Sequence, residues 1–245
     1  MGILEYALLF FVVVGGGWLA FRYSDGAQQA LKLALSFSGA YILGITIMHL
    51  MPGVFEQGGH AASFWILAGF FTQLLLEQLS RGVEHGHVHV HQHGRRSFAV
   101  QVMLGLSLHA FLEGLPLTYF EEFHAAHHQH EEGEYQLLLG ILLHKLPAAF
   151  ALVALLLQSG FDRRVVWGCL LVFAAMSPLG AFSASYLSVS GAQVANLLGF
   201  VIGSFLHIST TILFEADDTH QHRVSWRKLS VILLGIGLAL AADLF

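Results

Sequence analysis

Charged residues are scarce in this sequence. Only 11% of its 245 residues are Asp, Glu, Lys or Arg, while 56% are hydrophobic and the mean hydropathy is +0.66. A soluble domain carries roughly a quarter charged residues, so the composition excludes a water-borne globular fold and leaves no stretch for a separate soluble domain. Cysteine is nearly absent. Cys169 stands alone in an apolar run, which excludes a disulfide framework or a cysteine metal site. No basic residue precedes Arg22, and Glu5 lies before it, so the N-terminus lacks the basic start of a secretory leader and reads as a first membrane span. The formal net charge of −5 resides mostly in loops, and nucleic acid is not an expected partner.

Long apolar runs are what the sequence has in abundance. A bilayer core asks for about 20 such residues per helix, and runs of this kind lie near 3–21, 31–52, 61–79, 98–120, 135–157, 165–187, 192–214 and 229–244. The expected fold is an all-α membrane protein: an eight-transmembrane-helix bundle forming a single transmembrane domain over 1–245. Its place is the cell membrane, crossed many times, or the inner membrane of a cell that has two. Lys and Arg in short loops mark the cytoplasmic side. With eight spans, alternate loops hold Arg22, Lys32, Arg81, Arg95, Arg96, Arg163, Arg164, Arg223, Arg227 and Lys228, ten of the eleven basic residues, and the other loops hold none. Both termini are therefore expected to be non-cytoplasmic. The eleventh, Lys145, falls within the fifth span, where an ammonium needs a partner or a water-filled cavity. The alternative is a lysine snorkelling to the interface.

Polar residues inside these spans carry the chemistry. In LSLHAFLEGLPL, His109 and Glu113 stand four residues apart, on one helical face. An imidazole and a carboxylate together suit a borderline divalent metal; a buried hydrogen-bonded pair is the structural alternative. In LLLHKLPAAF, His144 and Lys145 precede Pro147, which frees the carbonyl of Leu143 as a further oxygen. Two neighbouring spans, each with a polar cluster followed by proline, match the broken-helix pattern of a transporter site. His49 and His207 are candidates for the pathway or for packing, and Glu77 and Glu215 for an exit route. Two loops add histidines. Residues 81–97, read as cytoplasmic, alternate His85, His87, His89, His91 and His93. Residues 121–134, read as extracytoplasmic, combine His124, His127, His128 and His130 with five glutamates, a patch that concentrates cations.

At these residues the chain resembles the ZIP (Zrt/Irt-like protein) family of divalent metal transporters over essentially its whole length. HAFLEG is similar to the family's fourth-span HNxxEG, HKLPAA to its fifth-span HExPHE, and GSFLHISTTILFE to its seventh span, with HLMP around His49 a weaker match. The resemblance implies that His109, Glu113 and His144 are ligands of the transported metal, zinc or another divalent transition metal. It also implies alternating access by bundle-against-bundle motion and is compatible with a homodimer. The fifth-span motif is degenerate. Lys145 stands where the family has an acidic residue, and Ala148 and Ala149 replace its His and Glu, so Lys145 is read as occupying the position of a second metal ion. The expected function is transport of the ion to the cytoplasm, from outer loop to buried site to inner loop. The alternatives are an intramembrane zinc-dependent hydrolase, disfavoured because no HExxH is present, and a non-transporting metal sensor.

Overall fold

The computed structural model describes residues 1–23, 26–83, 96–119, 135–186, 191–214 and 225–241. Within lipid a chain must satisfy its backbone polar groups internally, and the apolar runs accordingly form helices. These are α1 (Ile3–Tyr23), α2 (Gln28–Ile45), α3 (Met51–Ser80), α4 (Arg96–Gly114), α5 (Gln136–Gln158), α6 (Arg163–Ala184), α7 (Gly191–Phe214) and α8 (Trp226–Ala241). The molecule is a largely membrane-spanning helical bundle, with six segments among the described residues long and apolar enough to cross a bilayer.

The region between the expected second and third spans differs from a simple loop. Helical bonding runs from Gln28 to Ser80. At 1.5 Å per residue, an unbroken helix of that length would extend about 80 Å, far beyond a hydrocarbon core of roughly 30 Å. Two devices interrupt it. Pro52 has no N–H to offer Met48, and ahead of it Thr46–Leu50 form a π turn in which the Met51 N–H bonds to Thr46 O, five residues back. Gly59 then breaks the helical path at φ 53°, ψ −138°, a conformation open to a residue without Cβ. Proline also ends α4. Pro116 cannot bond Leu112 O, and the Leu115 N–H takes that carbonyl instead at 3.3 Å.

Packing places α5 at the centre, against α1, α2 and α6, and buries most of its length. α3 packs along α7, α2 along α8, and α4 lies between α3 and α6. One apolar cluster gathers Ala20, Leu31, Val83, Ala99 and Val166, the neighbours of Arg22, Lys32, Arg81, Arg96 and Arg163. Phe21 stacks on Trp167 at 4.8 Å, and the Arg81 guanidinium lies 5.5 Å from the centre of the Phe98 ring. These basic helix ends therefore share one end of the bundle. A second cluster, with Leu50, Val54, Leu117, Leu137, Ala181 and Leu198, fills the region toward the other.

The α3–α7 seam is a backbone-to-backbone contact. A Cβ on Gly203 would collide with Ile66 O and stand 2.6 Å from Phe70 N, and one on Gly69 would collide with Phe200 O. Small residues permit such approach in membranes, where dispersion contact replaces hydrophobic drive. Gly203→Ala is expected to lower stability by about 1–3 kcal/mol through overpacking. Gly168→Ala, which faces open space, is expected to leave it unchanged or slightly raised. Thermal unfolding in detergent compares the two, and equal melting temperatures would contradict the close approach.

Candidate functional site

α4 and α5 bring their polar residues together in the bundle interior. One turn of α4 separates His109 from Glu113, and His109 Nε2 lies 2.8 Å from Glu113 Oε2. From α5, Lys145 Nζ reaches the other carboxylate oxygen, also at 2.8 Å. Lys145 is 1% exposed and Glu113 2%, so the ammonium does not snorkel. It turns inward, 4.8 Å from the centre of the Phe173 ring on α6, where cation–π attraction adds to the ion pair. Lys145 of α5 thus supplies a fixed cation to the Glu113 carboxylate of α4.

His144 is buried beside this cluster, its ring centre 6.2 Å from that of His109 in an edge-to-face arrangement. The three expected ligands therefore occupy one neighbourhood. They do not enclose an ion-sized space: among the described residues no three His, Cys, Asp or Glu side chains form a group able to hold a metal. Glu113 instead has one oxygen on Lys145 and the other on His109. The arrangement is a carboxylate between cationic or cation-binding partners, and chemically it can exchange one partner for another.

A second pair lies along α3 and α7, where His207 Nε2 contacts Glu77 Oε2 and the His207 ring meets Phe70 edge-on. Between the two pairs lie residues that the sequence reading did not single out. Gln73 stands one turn before Glu77, buried, and its side-chain oxygen bonds to His109 Nδ1 at 3.1 Å and to Ser204 Oγ at 3.0 Å. An uncharged amide inside an apolar run, four residues ahead of a carboxylate, was the available signal. His49 is buried in the π turn, between α2 and α3. The loop candidates His85, His87, His89, His91, His93, His124, His127, His128 and His130, together with Glu215, lie outside the described residues.

α6 holds α4 in register. Ser177 Oγ donates to Ala110 O at 2.8 Å, and just beyond α4 Thr118 Oγ1 donates to Ala181 O at 2.7 Å. Each removes a hydroxyl from contact with lipid while fixing the height of Glu113 against Phe173 and Lys145. Breaking a buried ion pair by deleting one partner leaves an uncompensated charge, at a cost of about 3–5 kcal/mol. Lys145→Met is expected to destabilise the protein by that order, and adding Glu113→Gln to restore most of the loss. Chemical or thermal unfolding of the two single variants and the double variant measures the coupling; additive losses would mean the two charges do not depend on each other.

The family model described as "ZIP Zinc transporter" matches residues 84–243. Zinc transporter ZIP1 of Bos taurus is 28% identical, over 90% of this chain and 80% of its own length. Zinc transporter ZIP1 of Takifugu rubripes is 26% identical over 100% of this chain and 95% of its own. Zinc transporter ZIP9-B of Xenopus laevis is 30% identical over 64% of this chain and 54% of its own. The matched region takes in the α4 and α5 cluster, well over half of the chain in all, and on that ground the protein belongs to the ZIP family of metal transporters.

Proposed function

We propose that this multi-pass membrane protein carries divalent transition-metal ions, zinc foremost, into the cytoplasm, and that His109, Glu113 and His144 hold the ion on the way. Transport of divalent metal follows from family membership; the hydrolase reading falls with it. The direction, the metal and the ligands are the proposal. The observation that carries it is Glu113: a carboxylate buried in the last turn of α4, flanked by His109 and with His144 alongside. Imidazole nitrogen and carboxylate oxygen suit zinc, with water completing a tetrahedron, and the relatives' names favour the same ion. Iron, manganese, cobalt and cadmium accept similar donors.

An arriving ion takes the place of the His109 to Glu113 contact, binding both groups, and His144 turns in as third ligand. Lys145 stays on the remaining carboxylate oxygen, in the position of a second metal ion. By sharing the negative charge it keeps binding weak enough for release, as conduction requires. From there the His207 and Glu77 pair, one turn along α3 from Gln73, offers the next donors toward the basic end of the bundle. The bundle forms one transporter domain of eight spans. The run Gln28–Ser80 passes twice about Gly59, and α8 is the last span. Positive-inside placement of the basic ends puts both termini outside. The 81–97 loop then receives the ion in the cytoplasm, the 121–134 loop gathers it outside, and a homodimer is compatible with this plan.

Radiometal uptake into proteoliposomes tests the assignment. Glu113→Ala is expected to reduce saturable zinc uptake to background, whereas deletion of residues 85–93 leaves most of it. An active Glu113→Ala protein beside a dead loop deletion would reverse the roles of site and loop. Absence of flux in the wild type would favour the sensor reading. Lys145→Ala is expected to bind zinc more tightly or to take up a second equivalent. Unchanged stoichiometry and affinity in a titration would remove the assigned role of the ammonium.

A further inference from the structure

Gln73 is 1% exposed and sits where α3, α4 and α7 meet. Its carboxamide oxygen has two lone pairs, and two groups approach it, Ser204 Oγ at 3.0 Å and His109 Nδ1 at 3.1 Å. Ser204 behaves unlike the later hydroxyls of its helix. Ser209, Thr210 and Thr211 donate to the carbonyls of Phe205, Leu206 and His207, within α7, whereas Ser204 gives its proton across the seam to Gln73. That donation turns the amide oxygen, rather than the amide nitrogen, toward the imidazole. A ring nitrogen facing an acceptor must carry hydrogen, and the hydrogen bond at one imidazole nitrogen decides what the other can do. Nε2, held against the Glu113 carboxylate at 2.8 Å, then carries a hydrogen of its own, and it is this nitrogen that an arriving cation binds when it displaces that proton.

We infer that Gln73, oriented by Ser204, is a positioning residue for the transported ion: it holds His109 with hydrogen on Nδ1 and so presents Nε2 to the metal beside Glu113. This rests on the reading of His109 and Glu113 as ligands. It adds a condition to that reading, because Gln73 and Ser204 belong to α3 and α7 while His109 belongs to α4. The binding form of His109 is enforced while these three helices are docked as they are here. If α4 shifts against the other two, the acceptor is withdrawn and the grip on the ion loosens.

The test uses full-length protein in detergent, with zinc as the probe, and compares wild type, Gln73→Met, Gln73→Glu and Glu113→Gln by calorimetric titration. Loss of a hydrogen-bond partner behind a metal-bound histidine weakens affinity by about 10- to 100-fold, and that loss is expected for Gln73→Met. Gln73→Glu retains an acceptor and is expected to bind zinc more tightly than Gln73→Met. A packing role alone predicts the opposite order, since a thioether suits a buried site better than a carboxylate. Independently of these variants, ¹⁵N NMR of histidine-labelled wild type loaded with zinc is expected to show His109 bound through Nε2 with hydrogen on Nδ1, the signals assigned with His109→Gln. Coordination through Nδ1, wild-type affinity in Gln73→Met, or weaker binding in Gln73→Glu than in Gln73→Met would overturn the inference. If Glu113→Gln binds zinc as wild type does, the site reading itself fails. If Glu113→Gln is weakened while Gln73→Met is not, only the role of Gln73 is lost.

Discussion

A carboxylate and an ammonium held 2.8 Å apart, both shut away from water, set the terms on which this bundle can assemble. Removing either ion from water costs several kcal/mol even after relaxation, and mutual attraction offsets that only if the geometry is close and the remaining polar atoms are occupied. The bundle therefore tolerates α4 in only a narrow range of heights and rotations relative to α5, those in which Lys145 meets Glu113. The other occupants of the site satisfy what the pair leaves over. His109 takes the second carboxylate oxygen, and the Phe173 ring faces the ammonium.

Around that pair the bundle is held by contacts that need no water to drive them. Glycines bring α3 and α7 to backbone distance, and the hydroxyls of Ser177 and Thr118 bond to carbonyls across the α4–α6 seam. Prolines interrupt helical bonding near the polar residues, at Pro52 beyond His49 and at Pro116 beyond Glu113, and the freed groups find partners in a π turn or a tightened last turn. The buried residues His49 and Glu113 thus lie next to irregular backbone.

Function follows from the same arrangement. A carboxylate with one fixed partner, Lys145, and one displaceable partner, His109, suits the proposed exchange of cations, and Gln73 and Ser204, bonded to each other, lie about one turn from Glu77 and His207 on α3 and α7. In the proposed passage the ion is never offered a full cage. It meets a few donors at a time, with Lys145 limiting the negative charge available, which keeps binding reversible.

Much of this was legible in the order of residues. Apolar runs of bilayer length located the helices to within a few residues for α1, α5 and α7. Spacings of four within one helix put His109 and Glu113 on a common face, and the rarity of charge in lipid marked Lys145 as a residue in need of a partner. Local periodicity could not say which neighbour would supply that partner, nor that Gln73 would meet both His109 and Ser204. Those contacts join residues 36 and 131 positions apart in the chain, and they depend on how helices rotate against one another. Composition and helical period, being properties of short stretches in a lipid solvent, determined the spans and the candidate ligands. Tertiary packing decided which side chain each ligand touches, because in a dry interior every buried polar atom must find its partner on whichever helix the close-packed glycines and the ion pair bring beside it.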